Sequence, residues 1–288
     1  MRHVDVTSRR TILSRRSELL ETLHGIGAGE DAAIDLADTA LLLAALDRPG
    51  VEIEPYREYL ASLSAETAAE ATGTPGVAMQ VSLLRKILVQ RHGYGGDKET
   101  YEDVRNANLI DVIDRRKGLP VALGILYIHA ARAYGSAIVG LNFPSHFLVR
   151  IEARGQRGII DPFHGGKLMI AQDLRERLKE LNGPDAEIGP AHYTAVDDRD
   201  ILVRLQNNIK LRAVRDKDLP RALEVLETMT SIAPQRTELW WETAVLHHRL
   251  GNLRTAIAIL EEFLAGTAGD GEIAVIEDLL RQLRTRLN

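Results

Sequence analysis

Between Leu219 and Gly266 the chain repeats itself. LPRALEVLETMTSIAP starts at Leu219 and LRTAIAILEEFLAGTAG at Leu253, 34 positions on, with Ala222 matching Ala256 and Leu226 matching Leu260. The stretches ahead of them, DILVRLQNNIKLRAVRDK and TELWWETAVLHHRLGN, match at the same offset. A helical unit of this length cannot bury its apolar face alone. It must stack on a neighbour, which makes the last third of the chain a small helical solenoid. Two such units span roughly 201–268, and EIAVIEDLLRQLRTRLN then reads as a polar-faced cap helix.

Thirty-four residues is the tetratricopeptide period. Ahead of it the pattern changes. From Asp31 to Leu63 apolar residues recur at three and four positions, and DRPG breaks the run into two helices. ATGTPG, 71–76, is a loop, and VAMQVSLLRKILVQRHGYGGD gives another helix with a stop signal at His92–Gly93. Asp97 suits the cap of a short helix. GYGGD lacks the Lys-Ser/Thr of a phosphate loop and reads as a tight turn. Pro120 fits the first turn of a helix that Gly135 ends. AIVGLNF, HFLVRIEA and RGIIDPF then read as three antiparallel strands packed on that helix. DLRERLKELNG is helical again, and PDAEIGPAHYTAVDD is a connector to the repeats. The class is α+β, organised as a basic N-terminal lead over 1–30, a core with N-terminal helices over 31–195, and the repeats with their cap over 196–288.

Composition excludes several kinds of chemistry. The 288 residues contain no cysteine, so disulfides, thiolate metal sites and thiol catalysis are absent. A net charge of −5 gives no reason to bind nucleic acid. No apolar run approaches the ~18 residues of a membrane span. SRRTIL, 8–13, resembles an export signal, but a charged, amphipathic stretch follows where an apolar one is required. The expected location is therefore cytoplasmic.

Three motifs carry a resemblance. GYGGDKETYEDVRNANLIDVIDRRKGLPVALGILYIHAARAYG, GLNFPSHFLVR and IDPFHGG resemble the bacterial SirB-type family of transglutaminase-like proteins, across about 32–268. That resemblance implies a degenerate transglutaminase-like, papain-like core with a small antiparallel sheet against a central helix, followed by tetratricopeptide repeats. Active members of the wider superfamily use Cys, His and Asp, with the Cys at the helix N-terminus two residues past a Gly. Gly118 and Gly135 match the two glycines of that pattern, and the nucleophile position falls on Pro120. His146 and Asp161 match the base and its orienting acid. As replacements, Ser145 adjoins His146 but in a strand would point to the opposite face, Tyr127 lies two turns inside the helix and is expected in the core, and Ser136 and Ser82 have no motif support.

His146 and Asp161 then have three readings. They can be a satisfied structural contact between neighbouring strands. They can line a ligand cleft with His164, where the helix N-terminus and Arg115, Arg116 and Lys117 suit a small anion. His146, Asp161 and His164 are also a donor set that zinc accepts, although neither a metal nor any cofactor is assigned. His247 and His248 lie on a repeat helix. Of Trp240 and Trp241, one is expected to pack between repeats and the other to offer a partner an anchor. Two functions follow: a non-catalytic adaptor for a protein or peptide partner, or a hydrolase or acyl transferase using His146 and Asp161 with non-Cys chemistry. The missing nucleophile points away from the enzyme.

Overall fold

The computed structural model describes residues 6–71, 73, 76–266 and 273–287. Parts of the 71–76 loop and the first five residues of the N-terminal lead lie outside them. Most of the rest of that lead is a helix, α1 (Val6–Ala28).

The chain forms two compact units, one of residues 6–16 and 31–205, the other of Ser17–Glu30 with the chain from Gln206 on. In the first unit α2 (Leu36–Leu46) is capped by Asp35, whose carboxylate accepts from the Ala37 and Asp38 amides. Then come α3 (Glu54–Glu70) and α4 (Val77–Leu84), which runs on as a π-helical stretch to Arg91. Gly93, at φ +73°, ends it as expected. The next two glycines, expected in a tight turn, instead form β1 (Gly95–Gly96), parallel to β2 (Lys117–Gly118). Asp97 caps no helix. Its carboxylate accepts from the Thr100 amide and hydroxyl and closes a local turn. Asn108 caps α5 (Leu109–Arg115) through the Asp111 amide.

The central helix α6 (Pro120–Arg132) opens on its proline, and eleven of its residues are buried. It packs on β3 (Ala137–Leu141) and β4 (Leu148–Ala153). Phe147 is the wedge: a Cβ on Gly124 of α6 would stand 2.4 Å from its ring, and one on Gly140 of β3 would stand 2.7 Å away. β5 (Gln156–Asp161) pairs antiparallel with β4. The three expected strands are thus present in one antiparallel sheet. Two short edge strands, β6 (Lys167–Met169) and β7 (Ala195–Val196), extend it to the order β6-β5-β4-β3-β7. Between β6 and β7 lies the expected helix, α7 (Ala171–Asn182).

The second unit holds the repeats. They comprise α8 (Asp198–Arg215), within which the units divide, then α9 (Leu219–Ile232), α10 (Thr237–Arg249), α11 (Leu253–Gly266) and the cap helix α12 (Ile273–Leu287). Positions 34 apart share their burial: Ala222 with Ala256, and Leu226 with Leu260, are all fully enclosed. α12 closes the stack by packing Ile276, Leu280 and Leu283 onto Ile257, Leu260 and Phe263. Trp240 packs at a tilt against Phe263, with ring centroids 5.5 Å apart, and donates to the Pro234 carbonyl, while Trp241 is exposed. His247 is buried. No described helix is long and apolar enough to cross a membrane.

Candidate functional site

The site is built on the end of one strand and the turn before another. Asp161 is the last residue of β5, and its Oδ1 accepts from the amides of Phe163 and His164 at 3.0 and 3.3 Å. This local turn folds the IDPFHGG loop back on itself, so His164 Nδ1 comes 2.7 Å from Asp161 Oδ2. Sequence alone left open whether His164 reaches back, and the turn is the reason that it does.

His146 comes from the other side. It was expected in β4, but that strand starts at Leu148, so His146 sits in the preceding turn next to Ser145, whose φ is +53°. Strand alternation therefore does not govern which way the Ser145 and His146 side chains face. His146 Nε2 lies 2.9 Å from Asp161 Oδ1, an ion-pair distance, yet makes no well-directed hydrogen bond and is buried. Phe163 fills the space beside the two imidazoles, with ring centroids 6.1 Å from His146 and 5.2 Å from His164. Burial opposes ionisation of Asp161, but the imidazoles of His146 and His164 outweigh it and hold the carboxyl at about 2. One donor atom from each of His146, Asp161 and His164 lies within 4.8 Å of the other two, so these three can hold a metal ion.

A strap ties this cluster to the head of α6. The Gly96 amide donates to the Phe163 carbonyl at 3.1 Å, and the Asp97 amide to the Gly118 carbonyl at 3.3 Å. A Cβ on Gly96 would sit 2.5 Å from the Phe163 ring, so the strap admits only glycine there. Pro120, two residues past Gly118, is buried at the first turn and can offer neither a nucleophile nor an amide proton.

Arg115 and Arg116 have partners of their own. Arg115 donates to Asp97 at 2.9 Å and to Asn106 at 3.0 Å. Arg116, with φ +59°, lies over the rings of Tyr59 and Tyr94 at 4.6 and 4.9 Å from their centroids and donates to both hydroxyls. The strap and the rings employ these guanidinium groups, and neither is placed with His146 or His164. Among the described residues, Arg177 of α7 adjoins the cluster instead, 3.3 Å from His164 Nδ1. Its spacing from IDPFHGG gave no sign of this. Tyr127 lies in the core as expected, and its hydroxyl is buried without a hydrogen-bond partner, so burial pushes its pKa up. A Cβ on Gly166 would stand 2.5 Å from that oxygen.

A separate groove of about 590 Å³ is lined by residues of α2, α3 and α6, among them Ser64, His129 and Arg132. Ser64 Oγ lies 2.8 Å from His129 Nε2, which resembles a nucleophile and its base. The same nitrogen is 3.0 Å from the Leu60 carbonyl. A carbonyl only accepts, so a hydrogen bond to Leu60 requires the proton on Nε2, and that tautomer has no lone pair there to activate the serine.

The family comparisons agree with this architecture. The model of the transglutaminase-like superfamily matches residues 54–207, and a tetratricopeptide repeat model matches 209–281. A UPF0162 protein of Xylella fastidiosa is 28% identical over 249 residues, covering 85% of this chain and 89% of its own. One from Vibrio cholerae is 27% identical, covering 83% and 88%. F-box only protein 21 of Mus musculus is 25% identical over 57% of this chain and 27% of its own. With the core helix, the antiparallel sheet and the His146–Asp161 pair in this arrangement, and a family match over more than half its length, the chain belongs to the transglutaminase-like superfamily.

Proposed function

We propose that this protein is a non-catalytic, cytoplasmic binding protein. In this reading its transglutaminase-like core keeps the His146–Asp161 pair without a nucleophile, and its repeats hold a protein or peptide partner. The observation that carries the reading is the absence of cysteine from the whole sequence, with Pro120 at the head of the core helix. Acyl transfer of this type needs a nucleophile within hydrogen-bond reach of its base. The neighbours of the His146 and Asp161 side chains are imidazoles, an aromatic ring and backbone amides. In the Ser64–His129 contact the same ring nitrogen also faces the Leu60 carbonyl, and a hydrogen bond to that carbonyl takes the lone pair a base would need. The binding half of the reading is supported by the two stacked repeats and by Trp241, an exposed aromatic of the kind that anchors interfaces.

The chain is tested for amine incorporation into a glutamine peptide and for amide and ester hydrolysis, beside His146→Ala. The expected result is no turnover above the variant. Turnover that His146→Ala abolishes would overturn the non-catalytic reading. Crosslinking in native cytosol tests the other half. A partner should crosslink to the repeats and be lost in Trp241→Glu, and recovery of none above background sinks the adaptor.

A further inference from the structure

We propose that His146, Asp161 and His164 form a binding site for a single divalent cation of the zinc type. The inference goes beyond the binding-protein reading and does not rest on it.

Three features carry it. First, the three donor atoms converge, all within 4.8 Å of one another, from two separate pieces of chain: the turn before β4 and the loop after β5. The two nitrogen–oxygen separations are 2.9 and 2.7 Å. A tetrahedral zinc ion with bonds of ~2.0–2.2 Å holds its donors about 3.3 Å apart. The two contacts are made to different carboxylate oxygens, Oδ1 and Oδ2, so seating the ion needs them to open by a few tenths of an ångström and the imidazoles to turn toward a shared position. Second, His146 Nε2 is enclosed, with its residue 7% exposed, and has no hydrogen-bond partner of good geometry although it faces the Asp161 carboxylate. An ion bridging the two would give that nitrogen a directed bond. Third, the donors are two imidazoles and one carboxylate. That set suits zinc, cobalt or nickel, whereas calcium and magnesium seek oxygen donors throughout.

The surroundings support entry of an ion. Asp161 is 1% exposed, so its charge is shielded from competing solvent, while the His164 side chain is 28% exposed and can swing out to admit the metal. Arg177, the cation beside His164, already has a carboxylate on its other side, Glu180 at 3.2 Å, to which it can retreat. Three protein donors leave a fourth tetrahedral position for water or for an oxygen or nitrogen of a bound molecule.

The test uses the untagged full-length chain, stripped with a chelator and titrated with zinc(II) against a chromophoric competitor. The same titration is made with His164→Ala, Asp161→Asn and, as control, His248→Ala. We expect one zinc per chain, at least tenfold weaker binding in the first two variants, and no change in the control. Cobalt(II) should give the strong visible bands of a four-coordinate site in the wild type and lose them in His164→Ala. No stoichiometric uptake, or uptake equally strong in His164→Ala, would overturn the proposal. His164 is partly exposed, so its variant keeps the fold, and far-ultraviolet circular dichroism verifies this. The readout is stoichiometry and spectrum, with no activity involved, so the site and the non-catalytic reading can fail independently.

Discussion

Two glycines of α1, two residues apart, should respond in opposite directions to the same substitution. Gly27 is buried, and a Cβ built on it would lie 1.8 Å from the Ser231 carbonyl oxygen and 2.9 Å from its carbon, at the end of α9. The Gln235 side chain also donates to the Gly27 carbonyl at 3.3 Å, which fixes the approach. Gly27→Ala therefore pushes a methyl group into backbone, which cannot rotate aside as a side chain would. The helices would have to separate by roughly 1.5 Å to regain a normal contact. Overpacking costs about 1–3 kcal/mol, and an immovable neighbour places this case at the upper end. Alanine recovers about 1 kcal/mol of helix propensity, leaving a net loss of about 2 kcal/mol. Gly25 has nothing within 4 Å of its Cβ position, so Gly25→Ala keeps the propensity gain and should stabilise by about 0.5–1 kcal/mol. Both tryptophans, Trp240 and Trp241, lie on α10, so their emission reports unfolding of the repeats alone. With a urea slope of ~2 kcal/mol per molar, Gly27→Ala should lower the midpoint by about 1 M, while Gly25→Ala raises it slightly. A Gly27→Ala midpoint at or above wild type would refute the close helix contact on which the reasoning depends.

Asp97 is buried against Arg115, and burial opposes its charge, but the Thr100 hydroxyl and amide and the Arg115 guanidinium prevail and hold its carboxyl below the usual 3.8. A depressed pKa contributes stability above the unfolded value and loses it as pH falls through the folded one. Wild type should thus weaken steadily below about pH 4, whereas Asp97→Asn should start less stable by about 3 kcal/mol and show a shallower acid slope in urea titrations at pH 6, 4 and 3. An Asp97→Asn slope equal to wild type would remove Asp97 from the account. Arg116→Lys should lose the flat stack between Tyr59 and Tyr94 and cost about 1–2 kcal/mol in thermal unfolding, since an ammonium cannot lie against two rings and reach both hydroxyls. An unchanged melting point would show the stack to be idle. Phe147→Ala, which empties the wedge between Gly124 and Gly140, should cost about 3–5 kcal/mol, and a loss below 1 kcal/mol would mean that the helix settles onto the sheet without it.

The elements that were readable along the chain are those set by local chemistry. The 34-residue echo of Ala222 in Ala256 and Leu226 in Leu260 announced stacked helices, because each unit needs the next to bury the same positions. Pro120 marked a helix start, and Gly93 a helix end, because their backbone preferences act within a few residues. The absence of cysteine by itself excludes thiol chemistry. What the chain did not disclose are pairings between segments far apart in sequence. Gly95 and Gly96 have the composition of a turn, and they form a strand only because Lys117 and Gly118 lie alongside and Phe163 requires a neighbour without a side chain. Arg115 and Arg116 look like a solvated anion site until the fold brings Asp97, Tyr59 and Tyr94 to them. The meeting of His146 with Asp161 and His164 depends on where β4 begins and on how the turn after β5 closes. The start of β4 is set by its pairing with β3 at Leu148 and with β5 at Val149, partners distant in the chain that no residue of the turn itself announces.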